Sequence, residues 1–308
     1  MSLARNALLR ASRSKWLAEQ MTQRAFARRA VKKFMPGESA ADALNAADAL
    51  AKEGLGAIVT QLGENLTSLT EADAVREHYL GVLDTIASRK QATVISIKPT
   101  QLGLDLSEEA CYASAEVLAA RAELYGKLLW VDMEDSSYVD RTLELYRRLK
   151  AKHPNIGLAI QSYLRRTPKD LDSLLPLKPT IRLVKGAYAE PPEHAFPDKA
   201  DVDQAFYEQA GVLLGAAAKG QALPIFGTHD RPLIDRIAAL AGQLKVPANG
   251  WEVHMLYGIR SADQRALVAR GIVVRCLISY GSAWFAWYMR RLAERPANVW
   301  FVVKSLVG

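Results

Sequence analysis

The sequence predicts an α/β fold closed into a (β/α)8 barrel behind an N-terminal helical arm, and three observations predict it. From Gly56 onward, eight short runs rich in β-branched residues alternate with longer helix-like segments, the pattern of βαβ units with a parallel sheet. Units of roughly 25 to 40 residues suit a closed barrel better than an open sheet. Polar residues fall in the second half of six of the eight runs, where such a barrel opens its reactive face.

The strands read "AIVTQLG" (57–63), "ATVISIK" (92–98), "LLWVDME" (128–134), "IGLAIQSY" (156–163), "IRLVKGAY" (181–188), "LPIFGTH" (223–229), "WEVHMLYG" (251–258) and "IVVRCLISYG" (272–281). Helix starts lie between them: Ser107 before Glu108 and Glu109, Asp135-Ser136-Ser137 before "YVDRTLELYRRLKAK", and Asp201 before "VDQAFYEQAGVLLGAAAKG". Gly54-Leu55-Gly56 has no third glycine in register, so a dinucleotide fingerprint is discounted. One TIM-like barrel accounts for 308 residues, and a hydrophobic fraction of 50% is ample for its core.

No run is long and apolar enough for a membrane span; Arg275 interrupts the longest, from Gly271 to Met289. Cys111 and Cys276 lie far apart, and the five histidines show no ligand spacing. These features imply a reducing, cytoplasmic setting with no disulfide framework and no metal.

Charge divides the chain into an arm, residues 1–45, and a barrel, residues 46–308. Residues 1–33 carry nine Lys or Arg against one acid, a balance of +8 within a total of +7, which leaves the rest at −1. With Trp16, Leu17, Met21 and Phe26 interleaved, the arm reads as a basic amphipathic helix on the inner face of a membrane, a targeting presequence, or a helix packed on the body. Nucleic acid is an improbable partner, because a near-neutral body offers no basic groove.

The polar strand ends are Lys98, Asp132 with Glu134, Gln161, Lys185 with Tyr188, Thr228 with His229, and His254. Together they imply a polar pocket lined from several sides. "RLVKGAY" (182–188) is the odd one, a core strand carrying two cations. Structural ion pairs at the barrel mouth would explain it, and so would a desolvated Schiff-base lysine, Lys185 or Lys98, in an aldolase-type barrel.

"RLVKGAY", "GTHD" (227–230), "EVHMLYGI" (252–259) and "YGSAWFAWYMRRLAERP" (280–296), with "ISIKPTQLG" (95–103), "VDMED" (131–135) and "FMPGE" (34–38), resemble the flavin-dependent proline dehydrogenases across essentially the whole chain. The resemblance implies a barrel that binds FAD at its mouth. It implies oxidation of L-proline to Δ1-pyrroline-5-carboxylate, electrons passed to membrane quinone, and a pyrroline-5-carboxylate dehydrogenase as metabolic partner. It places Arg182 beside the flavin ring, with Val184, Lys185, Gly186, Ala187 and Tyr188 holding the ring and diphosphate. Met133, Gln161, Thr228 and His229 match further flavin contacts. Lys98, Asp132 and Tyr188 fall at the substrate pocket, Lys98, Asp132 and Arg182 being the catalytic set.

The same resemblance makes Arg290 and Arg291 a substrate-carboxylate clamp. Two guanidinium forks suit a planar carboxylate as ammonium groups do not. Glu294 and Glu134 are candidate partners for the clamp. Two departures from the family pattern concern specificity. Leu277 stands where an R-x-Y motif carries tyrosine, and Trp287 stands where tyrosine is common before the arginine pair. Relatives that oxidise 4-hydroxyproline also lack the first tyrosine, so that substrate is the alternative, with Tyr280 as a neighbour able to satisfy its hydroxyl.

Overall fold

Alternate residues of a strand face opposite sides, and here the two sides have different partners. The computed structural model describes residues 31–289 apart from 64–65, 90–91 and 286. Its strands are β1 (Gly56–Gln61), β2 (Thr93–Ile97), β3 (Leu129–Val131), β4 (Ile156–Gln161), β5 (Thr180–Val184), β6 (Leu223–Gly227), β7 (Glu252–Leu256) and β8 (Val273–Tyr280). All pair in parallel in chain order, and β8 closes on β1 with Leu277 opposite Ile58. All eight expected strands are present.

Eight helices accompany them among the described residues: α1 (Ala40–Ala51), α2 (Leu69–Ala87), α3 (Glu108–Leu124), α4 (Val139–Lys152), α5 (Thr167–Leu174), α6 (Lys199–Ala217), α7 (Arg231–Gln243) and α8 (Ser261–Ala269). One face of each strand packs against this layer, and Val59, Ile95, Val131, Leu158, Leu183 and Val253 belong to the main core. The other face fills the barrel, where Ile58, Val94, Trp130 and Ile225 form a separate apolar cluster flanked by Leu128, Leu223 and Leu277.

Ser107 caps α3 as expected, its Oγ accepting from the Ala110 N–H at 3.2 Å. Asp135 caps a 3-10 turn over Ser136–Tyr138 that runs into α4. Asp201 is not the start of α6, which begins two residues earlier after the extended Asp198; its carboxylate lies in the first turn, where the helix dipole favours it. β3 and β5 end at Val131 and Val184, earlier than their sequence runs, so 132–134 and 185–188 leave the ladder to build the mouth.

Helix α1 packs against β1 and β8, the slot an eighth barrel helix would take. The boundary drawn after residue 45 falls inside it. Its start is fixed by a capping box, with Asp42 N–H donating to Ser39 Oγ and Ser39 N–H to Asp42 Oδ2, each at 3.1 Å. After β8 the chain turns over the mouth, where 284–285 and 287–289 are helical. Trp284 donates through Nε1 to Glu38 at 3.2 Å, and the Phe34 ring meets that of Tyr288 at a tilt of 44° with centroids 6.2 Å apart, joining the two ends of the described chain. Residues 1–30 of the arm lie outside the described residues, and no described helix is long and apolar enough to cross a membrane.

Candidate active site

A cavity of about 420 Å³ opens at the C-terminal ends of the strands, in the size range of small-molecule sites. It gathers Lys98, Asp132, Met133, Gln161, Arg182, Val184, Lys185, Gly186, Ala187, Tyr188, Thr228, His229 and Leu277, every assigned site residue that is described. Arg290, Arg291 and Glu294 lie outside the described residues.

The centre is Arg182, 4% exposed. Its Nη2 pairs with Asp132 Oδ1 and donates to Ser96 Oγ at 3.2 Å, while Ser96 Oγ donates to the same Asp132 oxygen at 2.9 Å. The guanidinium carbon lies 4.6 Å from the centre of the Trp130 ring, a cation–π contact. Burial works against the Arg182 charge and Asp132 works for it. Nη1 is buried with no hydrogen-bond partner among the described residues. A buried donor left unpaired costs about 1–3 kcal/mol, so this arrangement is set for an acceptor from a ligand.

Lys98 precedes a 3-10 turn at Pro99–Leu102 and faces the cavity. No salt bridge among the described residues joins it to Asp132, so Asp132 is oriented by Arg182 and Ser96 and not by Lys98. Glu134 is engaged by Thr100, accepting from its N–H at 3.0 Å and its hydroxyl at 2.6 Å. Lys185 lies between Asp203 and Asp230, at 2.5 and 2.9 Å, beside Lys199. Against the cost of burial, Lys185 and Lys199 hold Asp203 below the usual carboxylate range. Both cations of "RLVKGAY" therefore have acid partners.

The Gln161 side chain is held by its Nε2, which donates to the Glu134 backbone carbonyl at 2.7 Å, and the Gln161 backbone carbonyl accepts from the Thr167 hydroxyl at 2.6 Å. His229 Nε2 accepts from the Leu256 N–H at 3.1 Å, which places the proton of the neutral ring on Nδ1. Gly186 has φ +127° and lies flat on Tyr163, where a Cβ would come within 2.4 Å of the ring. Only glycine takes this conformation freely, and the result is a shallow backbone cradle beside the cavity.

Tyr280 does not reach the cavity. It faces the helix layer and its hydroxyl meets His78 Nε2 at 2.9 Å, because β8 turns Leu277 and Ser279 inward and residue 280 outward. Ser96 and Trp130, left out by the sequence reading, stand two residues before Lys98 and Asp132 on the same inward face. The two-residue period of a strand was the signal for them. Trp287 lines the cavity from the segment over the mouth.

A family model described as "Proline dehydrogenase" matches residues 43–304. "Proline dehydrogenase 1" of Bacillus subtilis subsp. natto is 36% identical over 276 residues, covering 90% of each chain. "Proline dehydrogenase" of Deinococcus radiodurans is 34% identical over 280 residues, covering 89% of each. Among solved structures, proline utilization A from Bdellovibrio bacteriovorus, inactivated by N-propargylglycine, superimposes with a TM-score of 0.80 at 24% identity. The match covers 86% of this chain and 32% of that one, a likeness of fold.

Proposed function

The chain belongs to the proline dehydrogenase family and oxidises proline, and from that premise we propose that it does so with FAD held in the barrel mouth, releasing Δ1-pyrroline-5-carboxylate. The observation that carries the cofactor reading is the buried, unpartnered Arg182 Nη1 at the cavity, aligned by Asp132, Ser96 and Trp130. A flavin ring offers acceptors at its edge, and a fixed cation there is the electronic tuning a protein supplies to such a cofactor. Gln161, Thr228, His229 and the 184–188 backbone would hold the ring and diphosphate, with Gly186 giving close approach. Lys185, bound to Asp203 and Asp230, sets that backbone and is not placed as a free nucleophile, which weakens the Schiff-base alternative.

When bound, FAD would supply the acceptor for the hydride that leaves C5 of proline. The protein's part is placement and exclusion of water. Arg290 and Arg291 clamp the carboxylate, and Lys98 adds positive charge to the pocket wall. Asp132 engages Arg182 and Ser96 through Oδ1 alone, so its Oδ2 is the acceptor offered to the substrate nitrogen and its proton. Leu277 and Trp287 border the ring. Electrons pass on to a membrane quinone, which brings the protein to the inner face of the membrane, and the product suits a pyrroline-5-carboxylate dehydrogenase. The test is the absorption spectrum of the purified protein and dye-linked proline oxidation. A colourless protein that takes up no FAD on titration overturns the cofactor reading.

A further inference from the structure

Beneath Arg182 a second set of charged groups runs down the barrel axis. His254, 4% exposed in β7, meets the Trp130 ring edge to face at 5.5 Å on the inner side of the barrel. Its Nε2 faces Glu252 Oε2 at 3.2 Å. Glu252 in turn receives the fork of Arg275, Nε to Oε2 at 2.7 Å and Nη2 to Oε1 at 3.2 Å, while Arg275 Nη1 donates to the Ala92 carbonyl at 3.0 Å at the closed end. Gly157 leaves room for the arrangement, since a Cβ there would lie 2.7 Å from the Trp130 ring.

We propose that Arg275 is a charge lock on Glu252, balancing that carboxylate so that it does not draw a proton onto His254, which stays an uncharged imidazole under the cavity and adds no second cation to Arg182 beneath a bound ring. Glu252 carries one negative charge, and the Arg275 fork already balances it. A carboxylate so balanced accepts the Nε2 proton of a neutral imidazole without drawing a second proton onto the ring. The groups that face His254 are Glu252 on its own strand, Arg275 from β8, and Trp130 and Arg182 from β3 and β5. Asp132 is already committed to Arg182. Burial comes first in holding the imidazole down to about 4, with Glu252 opposing and Arg182 adding to the effect.

With Nε2 donating to Glu252, Nδ1 is left as an acceptor, and it is buried without a partner among the described residues. The buried polar atoms without a partner among the described residues that line the cavity thus include a donor, Arg182 Nη1, and an acceptor, His254 Nδ1, alongside Thr60 Oγ1. A heteroaromatic edge carrying both an acceptor and an N–H complements such a pair, whereas a protonated His254 would offer two donors and repel Arg182. His254 and Arg275 are positioning residues in this scheme. The scheme rests on the flavin reading for the ring it serves, but the charge state of His254 is measurable without any ligand.

The first experiment is a ¹⁵N-histidine NMR titration of the full-length wild-type protein, with His254→Gln identifying the signal. The expected result is an Nε2-protonated neutral ring from pH 5.5 to 8, and titration of His254 within that range overturns the proposal. The second is the midpoint potential of bound flavin in Arg275→Gln and in Arg275→Gln/Glu252→Gln. Freed of its partner, Glu252 should draw a proton onto His254 in the single variant. At pH 6 its potential should then exceed the wild-type value by the equivalent of a tenfold shift in the oxidised-to-reduced ratio, about 30 mV for a two-electron couple. The excess should fade by pH 8.5 and be absent from the double variant at every pH. An Arg275→Gln profile parallel to wild type, or an excess that persists in the double variant, refutes the lock. A wild-type protein without flavin refutes the cofactor reading and leaves the NMR result to decide the lock.

Discussion

Removing Asp132 while leaving Arg182 is expected to cost more stability than the reverse change. The Arg182 side chain is 5% exposed, whereas that of Asp132 is 17% exposed and opens on the cavity. Asp132→Ala leaves a buried guanidinium without its carboxylate, and breaking a buried pair in this way costs about 3–5 kcal/mol. Arg182→Met replaces the stem with an apolar chain of similar length and leaves Asp132 partly hydrated, still accepting from Ser96. What is lost is the contact with Trp130 and the Nη2 hydrogen bonds to Asp132 and Ser96, offset in part because a buried charge is no longer desolvated, a net of about 1–3 kcal/mol. At about 2–4 °C per kcal/mol for a chain of this size, the melting temperature should fall roughly 6–20 °C for Asp132→Ala and by a smaller amount, roughly 2–12 °C, for Arg182→Met. The assay is thermal denaturation by circular dichroism at pH 7 on flavin-free protein, since a bound ligand would add its own stabilisation. Asp132→Ala/Arg182→Met should melt near Arg182→Met alone, because the orphaned charge has gone. If Arg182→Met is the costlier single change, or if the two losses simply add, the pair is not the buried unit described here.

Arg290→Met or Arg291→Met should raise KM for proline roughly 10- to 150-fold with flavin retained, the equivalent of about 1.5–3 kcal/mol for a charge-assisted contact; an unchanged KM in either removes that arginine from the clamp. Leu277→Tyr should move the ratio of kcat/KM values toward proline and away from 4-hydroxyproline, by no more than the roughly 10–200-fold that pocket walls achieve. If the ratio stays put, position 277 does not border the ring. Acidification should destabilise the fold in two stages. Unfolded, His254 binds a proton near its ordinary 6.5, but folded it resists protonation down to about 4. The unfolded chain therefore holds more protons in that window, and stability falls by up to about 3 kcal/mol as pH drops through it. Against the cost of burial, His254 and Arg275 hold Glu252 at about 2, so a further loss follows below about 4.5. Urea midpoints at pH 7 and 5 should differ in wild type and converge in His254→Gln.

Strand number, order and closure were legible because each strand is short, β-branched and followed by a helix with its own start signal; Ser107 is an example. The mouth was legible because Lys98, Asp132, Gln161, Lys185 and Thr228 come at the strand ends, where polarity interrupts an apolar run. Partner choice was not, since it depends on which inward positions share a layer. Asp132, after β3, meets Arg182 of β5 over the intervening β4 while Lys98, nearer in sequence, is not its partner, and Lys185 finds its acids on α6 and at the start of α7.

The layer below the mouth was hidden for a related reason. Glu252 and Arg275 sit near the starts of β7 and β8, where a charged residue in sequence reads as a solvated strand flank, and "WEVHMLYG" shows only one histidine between apolar neighbours. Strand register joins them: Glu252 pairs with Val273 and His254 with Arg275, so the arginine side chain can fork back onto Glu252 while Glu252 reaches forward to the histidine. The electrostatics of the site are thus built partly from residues that face away from its opening. Substitutions at the closed end of this barrel should therefore alter the chemistry at the mouth through charge, without moving any side chain that touches the substrate.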